Sequence, residues 1–178
     1  MRILIGYASK TGTAAGCAEM LARELRGQEL TVADLTREAP APDAYDLVIL
    51  GGSVRFGRLP AALRSYLKNH QKTLEQIPHG LFLCCGLGHE FEGYAEKCFE
   101  RGVRESAFAL LNFGGVLRLP NASLFERALL RWMRSEILES EIDDEEYTPV
   151  LPAVLPENIS MMASYVRREL ERIKNGNG

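Results

Sequence analysis

The sequence predicts an α/β fold in which a five-stranded parallel sheet lies between two helical layers. Short, nearly continuous apolar runs recur along the chain, and stretches with apolar residues at helical spacing separate them. Glycine or proline marks most of the changeovers. A length of 178 residues fits one domain carrying at most one large excursion, and such a chain buries enough surface to need no disulfide or metal staple.

Arg2 to Ala8 is the first apolar run, as expected of a strand covered on both faces. Ala14, Cys17, Ala18, Leu21, Ala22 and Leu25 then recur at helical spacing, with Gly27 as a stop. Leu30 to Asp34 reads as the second strand. A polar, proline-bearing connection follows from Thr36 to Asp43, with room for a short helix. Asp46 to Gly51 is the third strand. Pro60 opens a helix with Leu63, Tyr66, Leu67, His70 and Leu74 on its apolar side, proline being suited to a first helical turn. Gly80 to Cys85 is the fourth strand, Glu92 to about Phe108 one further helix, and Asn112 to Leu117 the fifth strand. Glu157 to Lys174 closes the domain as a helix with Ile159, Met162, Val166, Leu170 and Ile173 facing inward.

The segment from Arg118 to Pro156 breaks the alternation and is too long for a plain connection. Leu124, Phe125, Ala128, Leu129, Trp132 and Met133 predict an amphipathic helix within it, and an acidic run from Glu136 to Glu146 follows. That run reads as a solvated loop rather than a metal site. Arg118, Arg127, Arg131 and Arg134 read as the solvated side of that helix, or as a basic group for an anionic partner.

A formal charge of −3 gives no general basic field, so no nucleic-acid partner is expected. No apolar run approaches the roughly 20 residues that cross a bilayer. Strand-like residues begin at Arg2, which leaves no room for a signal peptide, and Cys17, Cys84, Cys85 and Cys98 follow no zinc spacing. Reduced thiols and a cytoplasmic setting are the expectation. The sequence does not disclose an oligomeric state.

In an open parallel sheet, ligands bind beyond the carboxyl ends of the strands. Ser9, Lys10, Thr11, Gly12, Thr13 and Ala14 follow the first strand and lead into a helix. Free N–H groups at a helix start suit a phosphate, although a hydroxyl-capped helix accounts for the same residues. After the third strand, Gly51, Gly52, Ser53, Val54, Arg55, Phe56 and Gly57 would let backbone approach a flat ligand, with Phe56 to stack on it; the alternative is a glycine-rich surface turn. Cys85, Gly86, Leu87, Gly88 and His89 follow the fourth strand as a polar edge for that ligand or as a plain loop. Together the segments describe a cradle for a phosphate and a planar ring. The nucleotide-hydrolase P-loop and the G-x-G-x-x-G fingerprint are absent, Arg55 spoils a G-x-S-x-G elbow, and Gly51 stands where a phospho-receiver has aspartate. His70, His79 and His89 are dispersed, and His70 reads as core.

The first of these segments resembles the flavodoxin family's phosphate loop, [ST]-x-T-G-x-[ST], over Ser9 to Thr13, with Ala14 departing at the sixth position. Gly51 to Gly57 resembles the G-[AG]-S-[IV]-R-[YF]-G stretch of the menaquinone-dependent protoporphyrinogen IX dehydrogenases within that superfamily, as do the positions of His70 and Pro78 and the long excursion. The likeness fades at Ile142 to Tyr147. It implies a flavodoxin-like three-layer sandwich with strand order 2-1-3-4-5 as a single domain over 1–178, the excursion spanning about 118–156. It also implies FMN as cofactor, with the phosphate on Ser9 to Ala14, the ring beside Ser53 to Gly57 and its polar edge at Cys85 to His89. The implied activity is oxidation of a porphyrinogen with electrons passed to a quinone, and peripheral contact with the inner face of a membrane. Two other readings stay open: an electron carrier with protein partners, and a flavodoxin-fold module that has lost FMN.

Overall fold

A computed structural model describes residues 1–86, 90–115 and 154–176, which belong to one compact unit formed by Met1–Val116 and Pro152–Gly178. The elements in chain order are β1 (Arg2–Ala8), α1 (Thr13–Glu24), β2 (Glu29–Asp34), a 3-10 turn (Pro42–Ala44), β3 (Leu47–Ser53), α2 (Ala61–Asn69), α3 (Gln71–Leu74), β4 (His79–Cys84), α4 (Phe91–Cys98), α5 (Arg101–Ser106), β5 (Ala109–Asn112) and α6 (Pro156–Gly176). The five strands are all parallel, in the order β2-β1-β3-β4-β5. This is the flavodoxin-like order that the sequence implied. The amphipathic helix, the basic group and the acidic run of the excursion lie outside the described residues.

Every residue of β3 and of β4 is buried. The reason is the alternation of side chains across the pleat. Ile3, Ile5, Leu47, Ile49, Phe82 and Cys84 face α1 and α6 on one side. Leu4, Ala8, Val48, Leu50, Leu81 and Leu83 face the helices between β3 and β5 on the other. A strand covered on both faces reads as a continuous apolar run, which is why these strands were visible as such. On the first side, α1 and α6 are also tied by polar contacts: Arg167 donates to the Glu24 carbonyl at 2.6 Å, and the Ser160 hydroxyl to the Glu24 carboxylate at 2.7 Å.

Three boundaries differ from the sequence expectation. The helix expected from Glu92 to about Phe108 is two helices, α4 and α5. Phe99 between them is extended (φ −119°, ψ 131°) and nearly wholly buried among the leucines of the second face. Burying that ring outweighs continuing the helix. The helix from Pro60 likewise breaks at His70, whose ring lies half-buried against Tyr66 with centroids 4.6 Å apart. The fifth strand starts and ends earlier than the expected Asn112 to Leu117. Beyond Asn112 the chain leaves the ladder through Gly114, whose φ of +72° is a left-handed conformation that glycine accepts at little cost.

Gly51 shows what the packing demands. It pairs with Phe82 across β3 and β4, and a Cβ on Gly51 would overlap the Phe82 ring and carbonyl. That space admits Phe82, which stacks on Phe113 with centroids 4.5 Å apart and planes 13° apart. Gly16 is different, since a Cβ there, inside α1, would meet nothing within 4 Å. Gly51→Ala is therefore expected to lower unfolding free energy by about 3 kcal/mol. Gly16→Ala should raise it by roughly 0.5–1 kcal/mol through helix propensity alone. Urea denaturation of both variants measures the pair.

Candidate functional site at the carboxyl edge

Pairing in register brings three strand ends to one rim: Ala8 opposite Gly52, and Ser53 opposite Cys84. The loops after β1, β3 and β4 therefore leave the sheet side by side. The sheet order reverses between β1 and β3, since β1 connects to β2 on one side and pairs with β3 on the other. Crevices at such a switch point are where open α/β sheets take their ligands.

After β1, the Ser9 hydroxyl accepts the Gly12 N–H at 3.1 Å and closes a tight turn. Gly12 sits in the left-handed region (φ +86°, ψ −14°) immediately before α1, and a Cβ there would meet nothing within 4 Å. Among the described residues no side chain caps α1, and its first turn carries no acid. The capping explanation of these hydroxyls thus does not hold for α1 itself: Ser9 serves the turn, not the helix. Among the described residues, the Thr11 and Thr13 hydroxyls have no protein partner. The first N–H groups of a helix have no intrahelical acceptor, so this start presents open donors at the positive end of the helix dipole. Lys10 beside it is exposed, whereas Ala14 is wholly buried in the core against the sheet. The Ala14 methyl therefore points away from any ligand, and only its N–H is on offer.

After β3 the chain makes a narrow hairpin. Arg55 and Arg58 exchange both main-chain hydrogen bonds, each at 3.0 Å. Phe56 and Gly57 form its tip with φ of +49° and +69°. Positive φ at both central residues is the two-residue turn whose twist matches a hairpin, usually made with Asn-Gly or Gly-Gly. Phe56 is the one non-glycine residue with positive φ among the described residues. That conformation costs about 1–2 kcal/mol for a residue with a Cβ. Its ring is nonetheless 53% exposed, with the Arg55 guanidinium 6.0 Å from the ring centroid. A strained, exposed aromatic is a reason to look for a ligand rather than for packing.

The hairpin is held from below by α4. The Cys98 thiol donates to the Gly57 carbonyl at 3.9 Å, and a Cβ on Gly57 would lie 3.5 Å from the Tyr94 ring. Burial raises the Cys98 thiol above its ordinary pKa, as it does the Tyr94 hydroxyl, which Glu90, Cys85 and Cys98 push further in the same direction. Both groups stay protonated as uncharged supports. The Ser53 hydroxyl, at the carboxyl end of β3, is buried and has no hydrogen-bond partner among the described residues, an orphaned polar atom at the rim.

After β4, Asn112 does what the sequence gave no hint of. Its side-chain oxygen accepts the Cys85 N–H at 3.2 Å and the Gly114 N–H at 2.9 Å, while its carbonyl accepts from Asn158 at 2.7 Å. One residue, through its side chain and its main-chain carbonyl, thus joins the ends of β4 and β5 to α6. Cys84 and Cys85 are buried, as small apolar residues would be. The Cys84 thiol donates to the Cys17 sulfur at 3.8 Å, and that hydrogen bond, with burial, holds it well above its ordinary pKa. Leu87, Gly88 and His89 lie outside the described residues, and Gly86 is the last described residue before them. Tyr94 and Asn112 are the site residues that sequence reasoning missed. Tyr94 has the spacing of an apolar helical position, and its separation of four from Cys98 is the signal that puts both on one side of the helix.

A family model described as "Flavodoxin domain" matches residues 4–143. The chain belongs to the flavodoxin family. Over 85 residues it is 32% identical to an Escherichia coli protein named protoporphyrinogen IX dehydrogenase [quinone], a stretch covering 46% of this chain and 47% of that relative. The chain thus spans about half the length of the curated relative it matches. Among solved structures it is similar to a short-chain flavodoxin associated with a non-canonical PDU bacterial microcompartment, with a TM-score of 0.53 and 12% identity, covering 95% of this chain and 98% of that one. It is also similar to a Fusobacterium nucleatum flavodoxin bound to flavin mononucleotide, with a TM-score of 0.47 and 13% identity over 94% and 98% of the two chains. Among the described residues no helix is long and apolar enough to cross a membrane.

The Phe56 turn yields a test that separates stability from function. Phe56→Gly removes the left-handed strain while adding backbone freedom to the unfolded chain. The thermal midpoint should stay level or rise, by at most about 1 kcal/mol in stability. The same variant should lose fluorescence quenching of an added flavin. A clear fall in the midpoint would instead make Phe56 a packing residue.

Proposed function

We propose that this flavodoxin-family chain is an FMN-dependent oxidoreductase that takes electrons from a porphyrinogen and passes them to a quinone. One observation carries the FMN part: the uncapped, acid-free start of α1 behind a left-handed Gly12 with open space in front of it. A phosphate fits there because it needs donors and positive potential and meets no side chain. The proposed phosphate donors are the N–H groups of Thr11 to Ala14, with the Ser9, Thr11 and Thr13 hydroxyls beside them. The proposed ring contacts are Phe56 as the stacking face, Ser53, Val54 and Gly57 along one side, and Cys85 and Gly86 leading to Leu87, Gly88 and His89 at the polar edge.

FMN, when bound, supplies the electron transfer. The chain's own part is to hold, orient and exclude water. The buried sheet end and the Ser53 hydroxyl form a dry floor, the Tyr94 and Cys98 supports fix the height of the Phe56 ring, and Asn112 fixes the loop after β4. The porphyrinogen and quinone come from the likeness to the Escherichia coli dehydrogenase and from Ser53 to Gly57, which match that group's motif.

The absorption spectrum of the purified protein, before and after added FMN, tests the cofactor, and a bound-flavin spectrum is expected. Gly12→Leu forces a Cβ into φ +86° and crowds the phosphate position. It should weaken FMN by about tenfold or more, the equivalent of a lost charge-assisted hydrogen bond, while riboflavin, which lacks the phosphate, changes little. Equal losses for both would move the phosphate elsewhere. The substrate is tested by porphyrin fluorescence during oxidation of protoporphyrinogen IX with a menaquinone analogue. Turnover above the uncatalysed background is expected, and its absence would leave electron carriage between proteins as the reading.

A further inference from the structure

Two cysteines meet where α1 passes the end of β4. The Cys84 thiol donates to the Cys17 sulfur at 3.8 Å across 67 positions of chain, and both are free thiols. Cys17 lies one helical turn after Thr13, the first residue of α1, and Cys84 is the last residue of β4. The pair therefore sits at the rim end of the layer between α1 and the sheet. Ser53 is opposite Cys84 on the neighbouring strand, about 4.8 Å away, and its side chain leaves the same face. Its hydroxyl is buried and has no partner among the described residues. A small polar molecule entering from the rim thus meets a hydroxyl beside two thiols. The contact also makes the thiols unequal. The hydrogen bond from Cys84 draws the Cys17 thiol below its ordinary pKa against the effect of burial, while the same bond and burial hold Cys84 well above its own.

We propose that Cys17 and Cys84 are a redox-active dithiol, which hydrogen peroxide closes into a disulfide joining α1 to the end of β4. Cys17 is the attacking group, because its sulfur accepts the hydrogen bond that favours a thiolate. The thiolate attacks one peroxide oxygen, the O–O bond breaks, and Cys17 becomes a sulfenic acid as the other oxygen leaves as hydroxide. The Cys84 sulfur then attacks Cys17, the S–O bond breaks, and the S–S bond forms with loss of water. The hydroxide takes up the proton that Cys17 released. Two thiols and one peroxide thus give one disulfide and two waters, and two electrons pass from sulfur to oxygen. The sulfurs close from 3.8 Å to about 2.05 Å, which draws α1 toward β4. The start of α1, one turn from Cys17, moves with it, so the disulfide displaces the N–H groups proposed to hold the phosphate. That consequence rests on the reading of this rim as an FMN site; the dithiol itself does not.

The test treats the folded full chain with hydrogen peroxide, removes the excess with catalase, and blocks remaining thiols with N-ethylmaleimide in denaturant before peptide mass mapping. A Cys17–Cys84 disulfide that dithiothreitol reverses is expected. No disulfide, or one between other cysteines, would overturn the proposal, and this wild-type result needs no variant to fold. Cys84→Ala should leave Cys17 as a sulfenic or sulfinic acid, since nothing resolves it, whereas Cys17→Ala should leave Cys84 reduced at the same dose. Equal oxidation of the remaining thiol in the two variants would overturn the assigned order of attack. Reduced and oxidised wild-type protein are then titrated with FMN by its fluorescence. The oxidised form should bind about tenfold more weakly, as for one displaced charge-assisted hydrogen bond, and recover on reduction. Equal affinities would overturn the link to the helix start. If neither form binds flavin and the disulfide still maps to Cys17 and Cys84, the dithiol stands and the cofactor assignment falls.

Discussion

Parallel strands that pair in register end together, and in this chain that register governs the site. Ala8 lies opposite Gly52, and Ser53 opposite Cys84, so the chain leaves β1, β3 and β4 at one rim. The sheet behind the rim has no room for anything else. β3 and β4 are buried along their whole length, and a Cβ on Gly52 would come within 2.8 Å of the Ala8 carbonyl. Such a close-packed layer takes neither ligand nor water. Polar backbone becomes available only where the ladder stops, which is why donors, an orphaned hydroxyl and a strained aromatic collect there.

The three loops are fixed by different means, and the difference suits different tasks. The loop after β1 is held by one short-range hydrogen bond, from the Gly12 N–H to the Ser9 hydroxyl, and then by α1 itself. What it presents is main chain. The hairpin after β3 is braced through Gly57 by Cys98 and Tyr94, so a ring carried on Phe56 is held at a set height despite its exposure. The end of β4 is tied through Asn112 to β5 and, by way of Asn158, to α6. Phosphate recognition tolerates main chain because charge and direction suffice. A stacking face needs a side chain whose position does not drift, and the bracing supplies that.

Much of the fold was legible because burial on both faces writes itself into composition. Strands such as Leu47–Ser53 are runs of apolar residues and glycine, and the crossovers between them show one apolar stripe. The breaks were not legible. Phe99 carries the same hydrophobic signal whether it continues a helix or leaves it to enter the core, and only the tertiary space around it decides. Asn112 looked like the first residue of a strand. It is the last, and its role lies in contacts to Cys85, Gly114 and Asn158 that no local pattern encodes. Within the site, glycines and hydroxyls at strand ends were readable as a class, because turns of positive φ and open helix starts demand particular residue types. The support beneath the hairpin was not, since Tyr94 and Cys98 have the spacing of ordinary core positions.

Ala14 shows how the departure from the family's loop pattern is absorbed. A hydroxyl at that position is part of the [ST]-x-T-G-x-[ST] pattern, and its loss looks at first like a lost phosphate ligand. Here the side chain at 14 is wholly buried in the layer between α1 and the sheet. A hydroxyl on it would enter apolar surroundings and need a partner there, at a cost of about 1–3 kcal/mol if it found none. The methyl avoids that cost, and the N–H at the same residue keeps its place at the helix start. In the proposed site, phosphate recognition is thus carried by the backbone, which any residue at 14 supplies. The constraint passes to Gly12, whose left-handed φ turns the chain so that those N–H groups face outward. Side-chain identity matters little at the one position and a great deal at the other, because the loop recognises through its conformation.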